Sequence, residues 1–124
     1  MGYMAKVKFK FKRDKYRKAR GGYSKFLDIY CSNCKQYLLL YQKDGPGPLK
    51  RLYFDRIFAP KYLADLQNLN SIKEIKRLEC HRCQQFIGMP IIYQKENRKS
   101  FHLEQGAFIK KVGKGVYPPE NASL

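Results

Sequence analysis

The chain of 124 residues has no tryptophan, two histidines, ten acidic residues against 26 lysines and arginines, and no cysteine outside two C-x-x-C pairs. No apolar run reaches the length of a membrane-spanning helix, so no transmembrane segment is expected. Neither G-x-x-x-x-G-K-[ST] nor G-x-G-x-x-G occurs, which removes the common phosphate-cradling loops. The histidines, His81 and His102, stand apart, and serines and carboxylates are scattered without a nucleophile–base pattern, so no enzyme is expected. The Lys-rich N-terminus lacks the apolar stretch of a secretory signal. Its period-two alternation also differs from an amphipathic presequence helix. A cytoplasmic or other reducing compartment is expected, where paired cysteines hold metals more often than they form disulfides.

The scarcity of acids leaves a formal net charge of +16 at pH 7. Such an excess calls for an anionic partner. It is unevenly spread: residues 1–25 carry net +9 and residues 26–124 net +7. Residues 1–25 are read as a basic N-terminal arm, 26–112 as the folded domain and 113–124 as a loose C-terminal tail. From Lys6 to Lys12 lysines alternate with Val7, Phe9 and Phe11, the pattern of a strand with one charged and one apolar face. Gly21-Gly22 reads as a hinge. Such an arm is either a solvated tail or a segment that orders against phosphate.

Beyond the hinge the pattern is mainly β. Phe26–Tyr30 leads as a strand into Cys31, and Tyr37–Tyr41 reads as a buried strand. Asp44-Gly45-Pro46-Gly47-Pro48 is a turn, and Leu49–Phe54 reads as the returning strand of a hairpin. A short helix is expected over Pro60–Gln67. Ser71 with Glu74 resembles a capping box, whereas Lys76–Glu79 reads as a strand running into Cys80. Strands follow at Pro90–Tyr93, Ser100–Leu103 and Ala107–Ile109. Phe26, Tyr37, Tyr41, Phe54 and Phe86 are expected in the core, and Asp55 and Glu96 as salt-bridge partners.

The most specific signal is Cys31-Ser32-Asn33-Cys34 with Cys80-His81-Arg82-Cys83, 45 residues apart. Two residues between ligands make a tight knuckle whose sulfurs face one point. Two knuckles supply Cys31, Cys34, Cys80 and Cys83 as the four thiolates of one tetrahedral, structural Zn(II) per chain. Four cysteines close the coordination sphere, which disfavours a catalytic zinc. A thioredoxin-type pair would require a βαβ setting that is missing, and iron–sulfur ligands are usually spaced less regularly. His81 is read as an exposed loop residue and His102 as a strand residue.

This spacing and the β patterning of residues 26–111 resemble the four-cysteine zinc-ribbon group. They also resemble the β-tent modules, which include Yippee-like proteins and the zinc site of methionine sulfoxide reductase B. Asp44–Tyr53 further resembles part of a small protein family that carries no function over to these residues. The zinc-ribbon and β-tent resemblance implies a small zinc-stapled antiparallel β domain with one short helix. Ribbons often place Pro after the first cysteine and Gly after the second; here Ser32 and His81 occupy the one position and Lys35 and Gln84 the other. The reductase needs a catalytic cysteine besides its zinc ligands, and this chain has none to spare.

Binding of nucleic acid, with RNA favoured, or membership of a ribosome or other ribonucleoprotein is the leading expectation. Lysine and arginine release counterions from phosphates, and eighteen aromatics, ten of them tyrosine, offer stacking surfaces. The candidate contacts are Lys8, Lys10, Lys12, Arg13, Lys15, Arg17, Lys18 and Arg20 in the arm, with Lys50, Arg51 and Arg82 at the turn and knuckle. The alternative is a protein-interaction adaptor that uses the zinc domain as a rigid platform without touching nucleic acid. A membrane surface is disfavoured, because no amphipathic helix or lipidation motif is present.

Overall fold

The computed structural model describes residues 6–120 and Ala122. β-branched or aromatic residues occur in every strand but β6: β1 (Val7–Lys8), β2 (Ser24–Cys31), β3 (Tyr37–Asp44), β4 (Arg51–Tyr53) and β5 (Ile57–Ala59), then β6 (Leu78–Glu79), β7 (Phe86–Tyr93), β8 (Arg98–Leu103), β9 (Phe108–Gly113) and β10 (Val116–Tyr117). One antiparallel sheet has the order β5-β3-β2-β9 and a second the order β4-β8-β7-β6, while β1 pairs with β10. The fold is therefore a small, mainly β domain, as the sequence pattern predicts. Among the described residues no helix is long and apolar enough to cross a membrane.

The main core lies where the inner faces of the two sheets meet. Leu27, Ile29, Leu39 and Tyr41 come from the first sheet, and Leu52, Ile87, Phe101 and Leu103 from the second. Tyr37 and Phe54 are buried as expected, whereas Phe86 is only half-buried. A second, smaller cluster forms on the outer face of the first sheet. There Phe26, Leu40 and Ala59 are covered by Phe9, Phe11, Phe58 and Tyr117.

Several local expectations give way to tertiary pairing. The segment 49–54 does not return along β3: β4 pairs with β8 of the other sheet, and β3 pairs with β5. The Pro-Gly turn thus carries the chain between sheets instead of closing a hairpin. The tail contributes a short strand, since Val116 pairs with Lys8 and Tyr117 with Val7. Only Leu78–Glu79 of the expected 76–79 strand forms, after a 3-10 turn over Ile72–Glu74 capped by the Ser71 side chain. The helix near Pro60 is present as α2 (Lys61–Ala64), extended by a 3-10 turn to Asn68. The preceding Ala59–Pro60 bond is cis, as is Tyr117–Pro118.

The basic arm is not detached over its described part. Phe11 stacks on Phe26 with ring centroids 4.3 Å apart, and Phe9 meets Phe58 edge-on at 5.3 Å. The charged run forms a short helix, α1 (Lys15–Ala19), whose N-cap Asp14 accepts from the backbone N–H groups of Tyr16 and Arg17. Asp14 also receives both terminal nitrogens of Arg56, at 2.6 and 3.0 Å. Arg56 is 1% exposed and donates through Nε to Asp44 at 2.8 Å. Arg98 donates to Asp55 at 2.6 Å and to Glu96 at 3.1 Å, and its guanidinium lies 4.0 Å from the Tyr16 ring and 3.8 Å from that of Tyr53. Asp55 and Glu96 are thus salt-bridge partners, as expected. The arm crosses both sheets as a strap, apolar on the first and ionic on the second.

Candidate metal centre

The two cysteine knuckles are built alike. β2 enters the first and β3 leaves it; β6 enters the second and β7 leaves it. A register shift falls at Ile29/Tyr30 in one unit and at Leu78/Glu79 in the other, the same place relative to the first cysteine. Cys31 N–H donates to Gln36 O at 2.8 Å and Cys80 N–H to Gln85 O at 2.9 Å. Lys35 N–H returns to Cys31 O at 2.9 Å and Gln84 N–H to Cys80 O at 2.8 Å. Lys35 and Gln84 have φ of 66° and 64°. These are the positions where zinc ribbons often carry glycine, and here the left-handed turn forms without it.

Each sheet therefore contributes two sulfurs to one point. All four ligand atoms lie within 4.8 Å of one another. Cys31 and Cys83 sulfurs are 3.6 Å apart, and those of Cys34 and Cys80 3.5 Å. Four sulfurs about 2.3 Å from a central ion stand about 3.8 Å apart at tetrahedral corners, so the cluster fits a metal of that size with little movement. Cys31 and Cys80 are buried, whereas Cys34 and Cys83 are half-buried. The Arg82 N–H points at Cys80 Sγ at 3.4 Å, and Asn33 Nδ2 donates across to Cys83 Sγ at 3.4 Å. The Asn33 hydrogen bond leads the causes that hold the Cys83 thiol down at about 6, whereas burial leads those that push the Cys34 thiol up to about 11. Gln85 Nε2 bridges to Ser32 Oγ and Ala107 O at 3.0 and 2.8 Å, latching one knuckle to the other.

The candidate phosphate contacts fall into two groups. Lys8, Lys10, Arg13, Lys15, Lys18, Lys50 and Arg82 are exposed, and Arg51 is half-exposed with its guanidinium 4.1 Å from the Tyr93 ring. Lys12, Arg17 and Arg20 are engaged within the chain. Lys12 Nζ donates to Asp55 O at 2.5 Å, Arg17 Nε to Ser24 Oγ at 2.8 Å and Arg20 Nη2 to Glu96 at 2.8 Å. The alternation covers only Lys12 of these three, and the acceptors of Lys12 and Arg20 lie 43 and 76 residues along the chain.

Beside the second knuckle lies a cleft of about 500 Å³ lined by Tyr37, Leu38, Pro60, Tyr62, His81 and Tyr117. Tyr62 is 62% exposed and His81 is exposed, as its loop position predicts. Tyr62 and Tyr117 carried no signal of this grouping, since one sits on α2 and the other on β10. No protein-family model, no curated protein and no solved structure matches the chain. The fold and the site define its class directly: a small antiparallel β domain whose two sheets meet at a four-cysteine, metal-type centre.

Proposed function

We propose that the chain is a structural-zinc protein that binds nucleic acid, single-stranded RNA above all, through an exposed basic surface. Four thiolates from two knuckles are the donor set of structural zinc, which in small sites supplies on the order of 10 kcal/mol or more toward folding. The observation that carries the binding reading is the imbalance left after internal pairing. Among the described residues, ion pairs engage six of the ten acids but only five of the 26 cations. The exposed lysines and arginines therefore face solvent with few acids to offset them, and polyanionic phosphate would replace their counterions. The tyrosine cleft supports the preference for unpaired bases, because an exposed ring such as Tyr62 offers a stacking face.

Filter binding to single-stranded RNA, duplex RNA and DNA across a salt series tests this reading. Replacing Lys8, Lys10, Arg13, Lys15 and Lys18 together by glutamine leaves the apolar and ionic contacts of the strap in place. It should lower the salt slope for single-stranded RNA by about 3 to 4. Tyr62→Ala should weaken single-strand binding by about 1–3 kcal/mol and leave duplex binding unchanged. RNA affinity that is absent at ~50 mM salt, or a slope unchanged by the five substitutions, would overturn the proposal.

A further inference from the structure

The Asp44–Pro48 turn encloses a small cavity of about 130 Å³. Four cationic residues line it: Arg20, Lys43, Lys50 and Arg51, with Pro46 and Pro48 in its wall. Its single acid is Asp44, whose oxygens are already taken. Oδ1 accepts from Ser24 Oγ at 2.6 Å and Gln42 Nε2 at 2.8 Å, and Oδ2 from Arg56 Nε at 2.8 Å. Arg20 shares Glu96 with Arg98. Among the described residues Lys43, Lys50 and Arg51 form no ion pair.

Lys43 is the unusual member. It is 7% exposed, and its Nζ donates to Gly45 O at 2.8 Å. Directly opposite on β2 stands Lys25. Like charges in cross-strand register repel. Burial, and then Lys25, Lys110 and Arg20 in turn, push the Lys43 ammonium below its ordinary pKa. The turn is shaped to keep this cluster tight. Gly45 has φ 74°, and a Cβ there would come within 2.9 Å of Arg20 Cβ, so only glycine lets the arm close against the turn. The Arg51 guanidinium lies 4.1 Å from the centre of the Tyr93 ring.

From this geometry we infer that the cavity bounded by Arg20, Lys43, Lys50 and Arg51 is a binding site for a phosphate group, either free or at the end of a nucleic-acid strand. A tetrahedral oxyanion carrying close to two charges near neutral pH accepts hydrogen bonds from several of these donors at once. It also relieves the repulsion around Lys43. Free phosphate is enough to occupy the site, so the inference goes beyond the nucleic-acid reading.

Thermal unfolding of the full metal-loaded chain in inorganic phosphate, against chloride at equal ionic strength, provides the test. At about ten times the dissociation constant, phosphate should raise the midpoint by roughly 3 °C or more, and chloride should not. Lys50→Gln, an exposed change with no fold contact to lose, and the buried Lys43→Met should each abolish most of the rise. Equal midpoints in phosphate and chloride, or a phosphate response kept by both variants, would overturn the site. Oligonucleotides that differ only in a 5′-phosphate or 5′-hydroxyl then name the source. A preference for the phosphorylated form that is lost in Lys50→Gln assigns the site to strand ends, and equal affinity with the inorganic-phosphate response intact assigns it to free phosphate. The nucleic-acid reading fails separately, on the salt series with unphosphorylated RNA.

Discussion

Arg56 commits two of the ten acids to one buried cation. Its guanidinium is 1% exposed and satisfied by Asp14 and Asp44, both brought from other parts of the chain. Removing the cation would leave Asp44, itself 4% exposed, buried beside an unfilled space. Arg56→Met is expected to cost about 3 kcal/mol or more, read as a lower urea midpoint. A midpoint within error of the parent would contradict that role. The Arg56 hydrogen bonds, aided by the N–H groups of Arg17 and Tyr16, hold the Asp14 carboxyl down to about 2, against an ordinary 3.8. A depressed carboxylate stabilises the fold fully above its unfolded pKa, and that contribution fades as pH falls through the folded one. Stability should therefore drop between about pH 4 and 2, and Asp14→Asn should flatten that part of the pH profile. The left-handed residues make the opposite case. Gln84, at φ 64°, makes only long hydrogen bonds to His81 O and Arg82 O through its side chain. Gln84→Gly should raise stability by roughly 0.5–1 kcal/mol, because glycine adopts that conformation without a Cβ clash. A loss of stability would mean that the side chain contributes more than the turn costs.

Among the elements, legibility followed whether the determining contacts were local. The alternation of Val7, Phe9 and Phe11 with lysines marks an apolar face, and Phe9 and Phe11 do cover the cluster around Phe26. What the alternation leaves open is whether that face finds a partner within the chain, since Phe26, Phe58 and the C-terminal Tyr117 lie far along it. The turn at Asp44–Pro48 is equally plain, but a turn does not state which strand the chain will pair with next. Leu52 could pack on either sheet, and register with Phe101 decided it. Tyr117-Pro118-Pro119 reads as a tail because two prolines mask a two-residue strand. The strap makes a clear prediction. Phe11→Ser should lower stability by about 1–3 kcal/mol, whereas Lys10→Gln on the opposite face should leave it within ~0.5 kcal/mol. Equal effects would mean that the Phe11–Phe26 stack adds little. Deleting residues 1–22 would strip Phe9 and Phe11 from the outer cluster and take Asp14 from Arg56, so a loss of RNA binding in that variant would report destabilisation as much as lost contacts.

Across the whole molecule, two devices tie the same pair of sheets at opposite ends of the β2–β3 hairpin. The ionic strap grips near Ser24 and Asp44, and the cysteine knuckles meet at Cys31, seven residues or about 23 Å along β2. The cysteine centre was the most legible feature of the sequence, because the donors announce themselves by type and spacing and their meeting needs only two similar turns. The tyrosine cleft and the cationic cavity were not legible, since each gathers residues from three or more elements that share no local pattern. The charge that remains outward after internal pairing is lysine-rich, and the metal proposed at the four cysteines would staple the two sheets beneath it. Native mass spectrometry of the purified chain tests that staple most directly. The expected result is one zinc ion per folded chain, with two C-x-x-C pairs deprotonated, lost together with the fold in Cys34→Ser or on chelation. A folded, metal-free monomer that keeps its β structure in chelator would contradict it.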